Sequence, residues 1–348
     1  MGTTRVTAEQ QTEPVCIACG GNMQPLLPGM FDDRYGYPGY FDIFECVRCG
    51  QGQTIPLLED SDLSHVYGNY YPRKNIVIGD IVNDAREPMS GENVRKRQRD
   101  GTDNQGQYLA SAGMTVLDYG CGSGTSLLEL AAIGADAYGI EADPNVQQVI
   151  DHLKLRIHIG MIDDAPYREG QFDMIILNQV LEHLPDPAGI LRKLRRLLKP
   201  SGTMALSFPN AGSVYARLFG RQWINWHIPY HLHHFNKKSV HRFFERNGWT
   251  VLSARTITPD LWTYLQFKVA PEVARIGMTH PTWSDTQGVS PTTLDLARMR
   301  PLTRNLRSLA LRYHQGGWPK NALSKTNRLI DRLGMGDSFL VRIAPADD

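Results

Sequence analysis

The segment from Thr115 to Thr125 constrains the fold of this 348-residue chain more than any other. It begins as a short apolar strand that ends in Asp118, and three alternate glycines follow it at Gly120, Gly122 and Gly124. Because glycine has no Cβ, these positions can adopt positive φ and let a ligand approach the backbone. The next residues are apolar at helical spacing, so the loop should open into a helix. A strand, a glycine loop and a helix in this order predict an α/β sheet that binds a ligand at the carboxyl end of the strand.

A second predicted strand, from Ala137 to Ile140, ends in Glu141, 21 residues after the first glycine. A carboxylate at that place can accept hydrogen bonds from both hydroxyls of a ribose. The pattern G-x-G-x-G lacks the later glycine of dinucleotide sites and the Gly-Lys-Ser/Thr of triphosphate sites. Asp118 would repel a pyrophosphate but attract the ammonium of a methionine moiety. The residues therefore favour S-adenosylmethionine over NAD as the cofactor.

The same segment resembles the first motif of the class I S-adenosylmethionine-dependent methyltransferases, and three later segments continue the resemblance. Residues 171–178 are similar to the fourth strand of that family, residues 180–187 to the segment after it, and residues 197–203 to the turn into the fifth strand. The motifs occur in the family's order over roughly 90 residues. The resemblance implies an α/β fold, a Rossmann-like seven-stranded doubly wound sheet.

The resemblance also implies a set of cofactor-binding residues: Asp118, Gly120, Cys121, Gly122, Gly124, Glu141, Ala142 and Asn178. For Cys121, a role as a small packing residue is favoured over one as a nucleophile. In the family, an acid that accepts the adenine amino group often follows the glycine at the end of the third strand. Here Met161 follows that glycine, so the adenine contact falls to Asp163 or to the backbone at Ile162.

Four of the five cysteines form two C-x-x-C-G pairs, Cys16 with Cys19 and Cys46 with Cys49. In each pair the two-residue gap lets both sulfurs face one metal, and the glycine supplies a left-handed turn. Four thiolates around one Zn²⁺ form a closed structural site with no position left for catalysis. Residues 25–44 favour a short β-hairpin whose core is too small to fold unaided, so the metal would supply its folding energy. We predict a small amino-terminal zinc ribbon; two unrelated cysteine pairs or disulfides are the alternative.

Tyrosines are dense in residues 66–72, which resemble a Y-x-x-Y-Y segment of zinc-ribbon methyltransferases. There the tyrosines lie near the methyl donor, and this makes Tyr71 a candidate catalytic residue. Packing of the ribbon against the main domain explains the same residues equally well.

Four histidines lie between Trp226 and Phe235, and no acid or thiol accompanies them, so a metal site is disfavoured there. Residues 229–239 resemble the P-R-H-L-x-H-F-[ST]-x-x-S pattern of methyltransferases often associated with sugars and surface polysaccharides, with Tyr230 in place of the arginine. Since an imidazole can take a proton from a hydroxyl near neutral pH, His231 is the candidate general base. Hydrogen bonding to buried backbone groups is an equal alternative for it. His183, just after the fourth strand, is a candidate for orienting the cofactor or the acceptor, or for capping the next helix.

The motifs divide the chain into five predicted segments: a zinc ribbon in residues 1–60, a linker and cofactor-covering segment in 61–112, a methyltransferase core in 113–256, a helical insertion in 257–336, and the last strand with a tail in 337–348. In the second segment, a polar loop should lead into a helix that ends near Gly113. The insertion carries predicted helices near Thr303–Tyr313 and Leu323–Leu333, and would form an acceptor lid or a homodimer contact. A peripheral membrane contact of these basic, apolar helices is an alternative, with a core-facing role favoured.

Net charge and hydropathy limit which binding partners and which cellular location we expect. The net charge of +1 gives no basic surplus for a nucleic-acid backbone, so we expect no nucleic-acid partner. No apolar stretch approaches the ~18 to 20 residues needed to span a bilayer, and the first fifteen residues lack the apolar core of a secretory signal. We expect a cytoplasmic location.

The glycine loop and the acids predict an enzyme that uses S-adenosylmethionine. The resemblances imply a methyltransferase that acts on a hydroxyl of a sugar, sugar nucleotide or polysaccharide precursor. The acceptor would be a small molecule or a glycan. C-methylation of a keto-sugar nucleotide is the nearest alternative. An RNA methyltransferase is disfavoured by the near-neutral charge, and a non-catalytic scaffold by the intact Asp118 and Glu141.

Overall fold

A computed structural model describes residues 14–71, 90–270, 274–280, 282–283 and 318–346. The chain divides into two units. The ribbon unit comprises Met1–Pro72, Pro209–Ser239 and Thr256–Ser338, and the sheet unit comprises Arg73–Phe208, Val240–Arg255 and Phe339–Asp348. The predicted helix near Thr303–Tyr313 lies outside the described residues. The division into five segments stays a prediction.

The strands of the described residues are β1 (Met23–Phe31), β2 (Tyr40–Cys46), β3 (Gly52–Ile55), β4 (Thr115–Tyr119), β5 (Asp136–Glu141), β6 (Ile157–Ile159), β7 (Phe172–Asn178), β8 (Leu198–Pro209), β9 (His233–His234), β10 (Trp249–Ile257) and β11 (Ser338–Pro345). Their α-helices are α1 (Asp60–Asn69), α2 (Gly91–Asp100), α3 (Thr125–Ala132), α4 (Gln147–Leu153), α5 (Pro187–Leu197), α6 (Val214–Phe219), α7 (Lys237–Arg246), α8 (Asp260–Val269) and α9 (Trp318–Arg332).

Seven strands form the main sheet, in the order β6-β5-β4-β7-β8-β11-β10. β4 pairs in parallel with β5 on one side and β7 on the other, and β6 and β8 continue the parallel pairing outward. The chain order reverses at β4, and the crevice outside the carboxyl ends of β4 and β7 is where such sheets bind ligands. The predicted Rossmann-like, seven-stranded, doubly wound α/β sheet is confirmed.

Apolar patterning explains how the central elements form. Residues 174–177 of β7 are an unbroken apolar run that is almost fully buried, as in a strand covered on both faces. α5 begins where the Asp186 carboxylate accepts a hydrogen bond from the N–H of Gly189 at 2.8 Å. Leu191 and Leu194 are buried, while the basic residues between them and after them face outward or lie half-buried. The basic run of this helix is thus the polar side of an amphipathic helix.

The helix before β4 lies earlier in the chain than we expected. Instead of ending near Gly113, α2 ends at Asp100. The Ser90 hydroxyl accepts a hydrogen bond at 3.1 Å from the N–H three residues on, which fixes the start of the helix. Gly101, at φ 59°, closes it with a left-handed turn. A 3₁₀ turn, Gly106–Leu109, then leads towards β4.

The ribbon unit contains a second sheet, with strand order β1-β2-β3-β9 and antiparallel pairing throughout. β1 and β2 form the hairpin predicted between the cysteine pairs, and Met23 lies opposite Cys46. The two residues of β9 pair with β3, His234 opposite Gly52 and His233 opposite Gln53. The ribbon sheet is therefore completed by a segment from much later in the sequence.

The apolar core of the ribbon unit is larger than the hairpin alone could provide. Phe41 and Ile43 of β2 are at most 3% exposed, and they belong to one buried cluster with Trp223, Tyr230 and Leu232. We expected the metal to supply the folding energy of an isolated hairpin. The aromatic packing contributes as well, since each such ring buries ~150–250 Å².

Among the ranges described above, no helix is both long and apolar enough to cross a membrane.

Candidate functional site

The glycine loop after β4 has the backbone conformation that its sequence predicts. Gly120, Gly122 and Gly124 have φ values of 79°, 54° and 75°. A Cβ at Gly120 would lie 2.7 Å from a Val180 methyl carbon, and a Cβ at Gly124 would lie 2.6 Å from one of Leu155. A Cβ at Gly122 would meet nothing within 4 Å. Packing therefore explains two of the glycines, whereas Gly122 faces open space that a ligand could use.

Asp118, at the end of β4, is 2% exposed. One carboxylate oxygen accepts a hydrogen bond from the Ser126 hydroxyl in the first turn of α3. The other oxygen, Oδ1, accepts no hydrogen bond from any residue that the structure describes. Burial and the nearby Glu141 carboxylate raise the pKa of Asp118 to about 7, although the Ser126 hydrogen bond opposes the shift. A buried carboxylate in this state fits a cationic group such as the ammonium of S-adenosylmethionine.

Glu141 ends β5 and fastens the glycine loop. One of its oxygens accepts a hydrogen bond from the N–H of Gly122 at 2.8 Å, and the other accepts one from the N–H of Asp143 at 3.0 Å. Each carboxylate oxygen can accept more than one hydrogen bond. The side chain is thus held in place with acceptor capacity that suits ribose hydroxyls.

The remaining predicted cofactor residues differ in their surroundings. Cys121 is buried in an apolar cluster, and its sulfur lies 2.6 Å from where a Cβ on Gly139 would be, so its surroundings are those of a packing residue. Ala142 is exposed and Ile162 is half-buried. The carboxylate of Asp163 is exposed and forms an ion pair with Lys193 at 2.6 Å. A contact to adenine from Asp163 would compete with this ion pair.

Asn178, at the end of β7, connects the sheet to the turn before β4. Its Oδ1 accepts a hydrogen bond from the N–H of Gly106 at 2.7 Å, and its Nδ2 donates to Gln107 Oε1 at 2.9 Å. Gln107 in turn donates to the buried Glu129 at 2.8 Å, and the Tyr108 hydroxyl donates to the same carboxylate at 2.9 Å. Asn178 thus holds the 3₁₀ turn against the end of β7. The hydrogen-bond network that links it through Gln107 to Glu129 was not predicted. The acid at position 129 within an apolar helix was its one sequence signal.

His183 ends a 3₁₀ turn, Leu181–His183, that follows β7. Its side chain is half-buried, whereas its neighbour Glu182 is 1% exposed. Burial raises the pKa of Glu182 to about 8, so this carboxyl is mostly neutral at pH 7.

The four paired cysteines of the ribbon unit lie together. Their sulfurs are all within 4.8 Å of one another, with 3.5 Å between Cys16 and Cys49 and 3.4 Å between Cys19 and Cys46. A tetrahedral zinc with ~2.3 Å bonds would hold its sulfur ligands about 3.8 Å apart. Burial raises the pKa of Cys49 to about 11, and a bound cation is what would keep such a thiol ionised. The donor set therefore fits one structural zinc.

The glycines after the two cysteine pairs adopt the predicted left-handed turns. Gly20 and Gly50 have φ values of 67° and 69°. Their N–H groups donate to the carbonyls of Cys16 and Cys46, both at 2.8 Å. The two knuckles thus share one geometry, and each turn brings its two sulfurs to the same side.

His231, the predicted general base, is 6% exposed within the ribbon unit. Its Nδ1 lies 2.8 Å from the carbonyl oxygen of Asn225, and its Nε2 lies 3.2 Å from Nδ1 of His227. Neither Asn225 nor His227 was among the predicted site residues, although the sequence showed a histidine at 227.

Tyr71 lies in an aromatic group with Tyr35, Tyr67, Tyr230 and His227. Its ring centroid is 5.1 Å from that of Tyr230 and 6.1 Å from that of His227. Tyr230 is fully buried, and burial raises its pKa far above the ordinary value. Tyr67 and Tyr71 thus pack against Tyr230 in the ribbon unit, whereas Tyr70 packs against Tyr37 and His65.

Asp337 anchors the loop that carries Asn225. Its carboxylate accepts hydrogen bonds from Ser213 Oγ at 2.7 Å, from Trp223 Nε1 at 2.9 Å and from Asn225 Nδ2 at 3.0 Å. Burial raises the pKa of Asp337 to about 7. No sequence signal indicated this role, because the partners of Asp337 lie more than a hundred residues away along the chain.

Residues 90–254 match a protein family described as a methyltransferase domain. The chain is 32% identical over 136 residues to the ubiquinone biosynthesis O-methyltransferase of Xanthomonas oryzae pv. oryzae (strain PXO99A), which covers 36% of this chain and 57% of that protein. The protein of the same name from Xanthomonas campestris pv. campestris (strain B100) is 31% identical over the same shares. The chain thus spans 57% of the length of these curated relatives.

Among solved structures, a SAM-dependent methyltransferase from Archaeoglobus fulgidus has a TM-score of 0.42 and 15% sequence identity, over 73% of this chain and 94% of that one. The family match covers the helix before β4, the glycine loop and the sheet as far as β10. Residues 90–254 thus match a methyltransferase domain, and they supply six of the seven strands of the main α/β sheet.

Proposed function

We propose that this protein transfers a methyl group from S-adenosylmethionine to a hydroxyl oxygen of a sugar, a sugar nucleotide or a polysaccharide precursor. The observation that supports S-adenosylmethionine as the methyl donor is Asp118. This buried carboxylate lies at the carboxyl end of β4, and one of its oxygens accepts no hydrogen bond from the described residues. The curated relatives are named O-methyltransferases, which supports oxygen as the acceptor atom. The resemblance of residues 229–239 to sugar-associated methyltransferases supports the acceptor class.

The sheet unit would hold the methyl donor by charge and by hydrogen bonds. When bound, S-adenosylmethionine supplies a methyl group on a sulfonium, whose sulfur departs as a neutral thioether. Asp118 would form an ion pair with the ammonium. Glu141 would accept hydrogen bonds from the ribose hydroxyls while it also accepts one from the N–H of Gly122. Gly122 leaves room for this approach, and Ile162 is the half-buried residue available to adenine. The chain's main contribution to rate would be alignment of the reacting atoms.

The acceptor hydroxyl must lose a proton, and the ribbon unit supplies the candidate base. His231 is our candidate for that base, since imidazole takes a proton near neutral pH, and its Nε2 lies 3.2 Å from Nδ1 of His227. Tyr71 packs beside this pair, and we assign it to positioning the acceptor. His183 is our candidate for orienting the donor or the acceptor. The four cysteines would hold a zinc ion whose role is structural.

The proposal is tested by following a labelled methyl group. Titration calorimetry should detect S-adenosylmethionine binding to the purified protein. Incubation with S-adenosylmethionine that carries a deuterated methyl group, together with a panel of UDP-, GDP- and dTDP-linked hexoses, should yield a labelled product in mass spectrometry. Fragmentation should place the label on oxygen. Label on a ring carbon would indicate C-methylation instead, and label in added total RNA but not in the hexoses would overturn the proposal.

A further inference from the structure

The ribbon unit contains a cavity of about 480 Å³. The described residues that line it come from the cysteine hairpin and the strand after it, from residues 210–238 and from residues 333–335. None of them is among the residues assigned above to the cofactor, to zinc or to catalysis. Pockets that bind small organic ligands have volumes of ~300–1,000 Å³. The cavity therefore has room for a small organic molecule.

Basic side chains dominate the charge of this cavity. Arg217 of α6 and Lys237 and Lys238 at the start of α7 line it, and Glu45 is the one acid among the lining residues that the structure describes. Three cations and one acid leave an excess of two positive charges. The amino-terminal end of α7 adds the positive end of a helix dipole. The charges of the cavity therefore favour a ligand with two negative charges.

Two of the three cations are not neutralised by the protein. The side chains of Arg217 and Lys237 make no hydrogen bond or ion pair with the part of the chain that the structure describes. By contrast, Arg221 of the same unit donates to the carbonyls of Pro28 and Gly29 at 2.7 and 3.1 Å. Like charges that share a cavity repel each other, and a bound anion would relieve this repulsion.

The backbone that carries the two lysines is fixed before any ligand binds. Asn236 Oδ1 accepts hydrogen bonds from the N–H groups of Lys238 and Ser239 at 2.9 and 3.0 Å, which caps α7. Its Nδ2 donates to the carbonyls of Cys49 and Gly50 at 3.0 and 2.6 Å. The start of α7 is thus attached to the turn of the second cysteine pair, and a ligand would have to order only the side chains.

Apolar side chains complete the lining of the cavity. They are Leu26, Trp226, Leu333 and Met335. The Trp226 ring is held by a hydrogen bond from its Nε1 to the Gly220 carbonyl at 2.7 Å. A ligand that fills this space needs a carbon body as well as charge. An organic phosphate has both, and two cations suit a phosphate better than a carboxylate, which has a single charge.

On the basis of the proposed function, we propose that this cavity binds a phosphorylated sugar, with its phosphate on Arg217 and Lys237 and its carbon body against the apolar side chains. Arginine offers two parallel N–H donors to phosphate oxygens, and lysine adds a point charge. A sugar 1-phosphate and a nucleotide-linked sugar share this chemistry, because each carries about two negative charges at neutral pH. The choice of a sugar rests on the proposed function, whereas the anion site depends on residues of the ribbon unit alone.

Titration calorimetry on the whole protein tests the site with three probes: glucose 1-phosphate, UDP-glucose and uncharged glucose. At low salt both phosphorylated probes should bind and glucose should not, and about 0.5 M salt should weaken the binding by screening the exposed cations. Arg217→Ala and Lys237→Ala should each lower the affinity about tenfold with an unchanged Tm. Lys325→Ala, at an exposed position of α9 outside the cavity lining, is the matched control and should bind like wild type. The tighter of the two phosphorylated probes shows whether the site takes a free or a nucleotide-linked sugar phosphate.

Three results would overturn this inference. They are equal binding of glucose and glucose 1-phosphate, unchanged affinity in both alanine variants, and a short single-stranded RNA that binds through Arg217 and Lys237 when neither phosphorylated probe binds. Binding of a phosphorylated probe without methylation of any hexose in the labelled-methyl experiment would support the inference and count against the proposed function. Methylation of a hexose with the same KM in wild type and Arg217→Ala, without binding of either probe at this site, would do the reverse.

Discussion

Lowering the pH from 7 to 5.5 should weaken the binding of S-adenosylmethionine, because only ionised Asp118 can pair with its ammonium. With a folded-state pKa of about 7, Asp118 is half ionised at pH 7 and about 3% ionised at pH 5.5. The affinity should therefore fall about 15-fold, or roughly 1.6 kcal/mol. The ligand's own amine stays protonated over this range, since α-amino groups titrate near ~7.7–8.0.

The same carboxylate should make the ligand-free protein less stable as the pH rises. The folded pKa of Asp118 lies above the ordinary value of 3.8, so folding disfavours the ionised form and stability falls between about pH 4 and pH 7. Three pKa units correspond to about 4 kcal/mol above pH 7. Asp118→Asn removes this penalty and should be more stable than wild type at pH 8 by up to that amount, but by only about 1–2 kcal/mol at pH 5.

Both effects are measurable on the same two proteins. Calorimetry at pH 5.5 in two buffers of different ionisation enthalpy should report about one proton released per bound ligand for wild type, and none for Asp118→Asn, whose affinity should be weak and independent of pH. Urea unfolding at pH 5 and pH 8 gives the stability difference. The reasoning is wrong if wild-type affinity is flat between pH 5.5 and 7, or if the variant binds the ligand as tightly as wild type.

Three shorter predictions concern other parts of the chain. Gly122→Ala and Gly170→Ala both place a Cβ at positive φ in open space, and each should cost about 1–2 kcal/mol of stability. Only Gly122→Ala should weaken S-adenosylmethionine binding, by about tenfold. Equal affinities of the two variants would show that the ligand does not bind at this loop. Metal analysis of reduced, freshly purified protein should find about one zinc per chain, and Cys46→Ser should lower both zinc content and Tm; protein without metal would contradict the ribbon site. Tyr108→Phe leaves the buried Glu129 carboxylate one donor short and should cost about 1–3 kcal/mol in urea unfolding, and a change below 0.5 kcal/mol would show that the network adds no stability.

The α/β sheet around the glycine loop could be predicted because its signals are local. The apolar strand before Asp118, the glycine loop and the acid at Glu141 each depend on a few neighbouring residues. The position of α2 could not be predicted in the same way, because its start and end depend on single caps at Ser90 and Gly101 within a polar stretch that has little apolar periodicity.

The candidate site was predictable at its strand ends and much less so in its supporting contacts. The sequence indicated Asp118 and His231, but nothing near Asp337 in the sequence indicates that it holds the loop of Asn225. The ion pair of Asp163 with Lys193 is likewise a contact between distant segments. Such contacts depend on which distant segments the fold brings together, and local sequence patterns do not show which segments those are.

The pairing of β9 with β3 limits how this chain can be cut or recombined. Deleting residues 1–60 would leave the backbone groups of His233 and His234 at an open sheet edge and would uncover the aromatic cluster around Trp223. Such a shortened protein should aggregate, and so should a chimera that exchanges residues 14–55 without residues 209–235. Although far apart in the sequence, residues 14–55 and 209–235 fold as one unit. A recombinant that exchanges one of these segments should fold only if it exchanges the other as well.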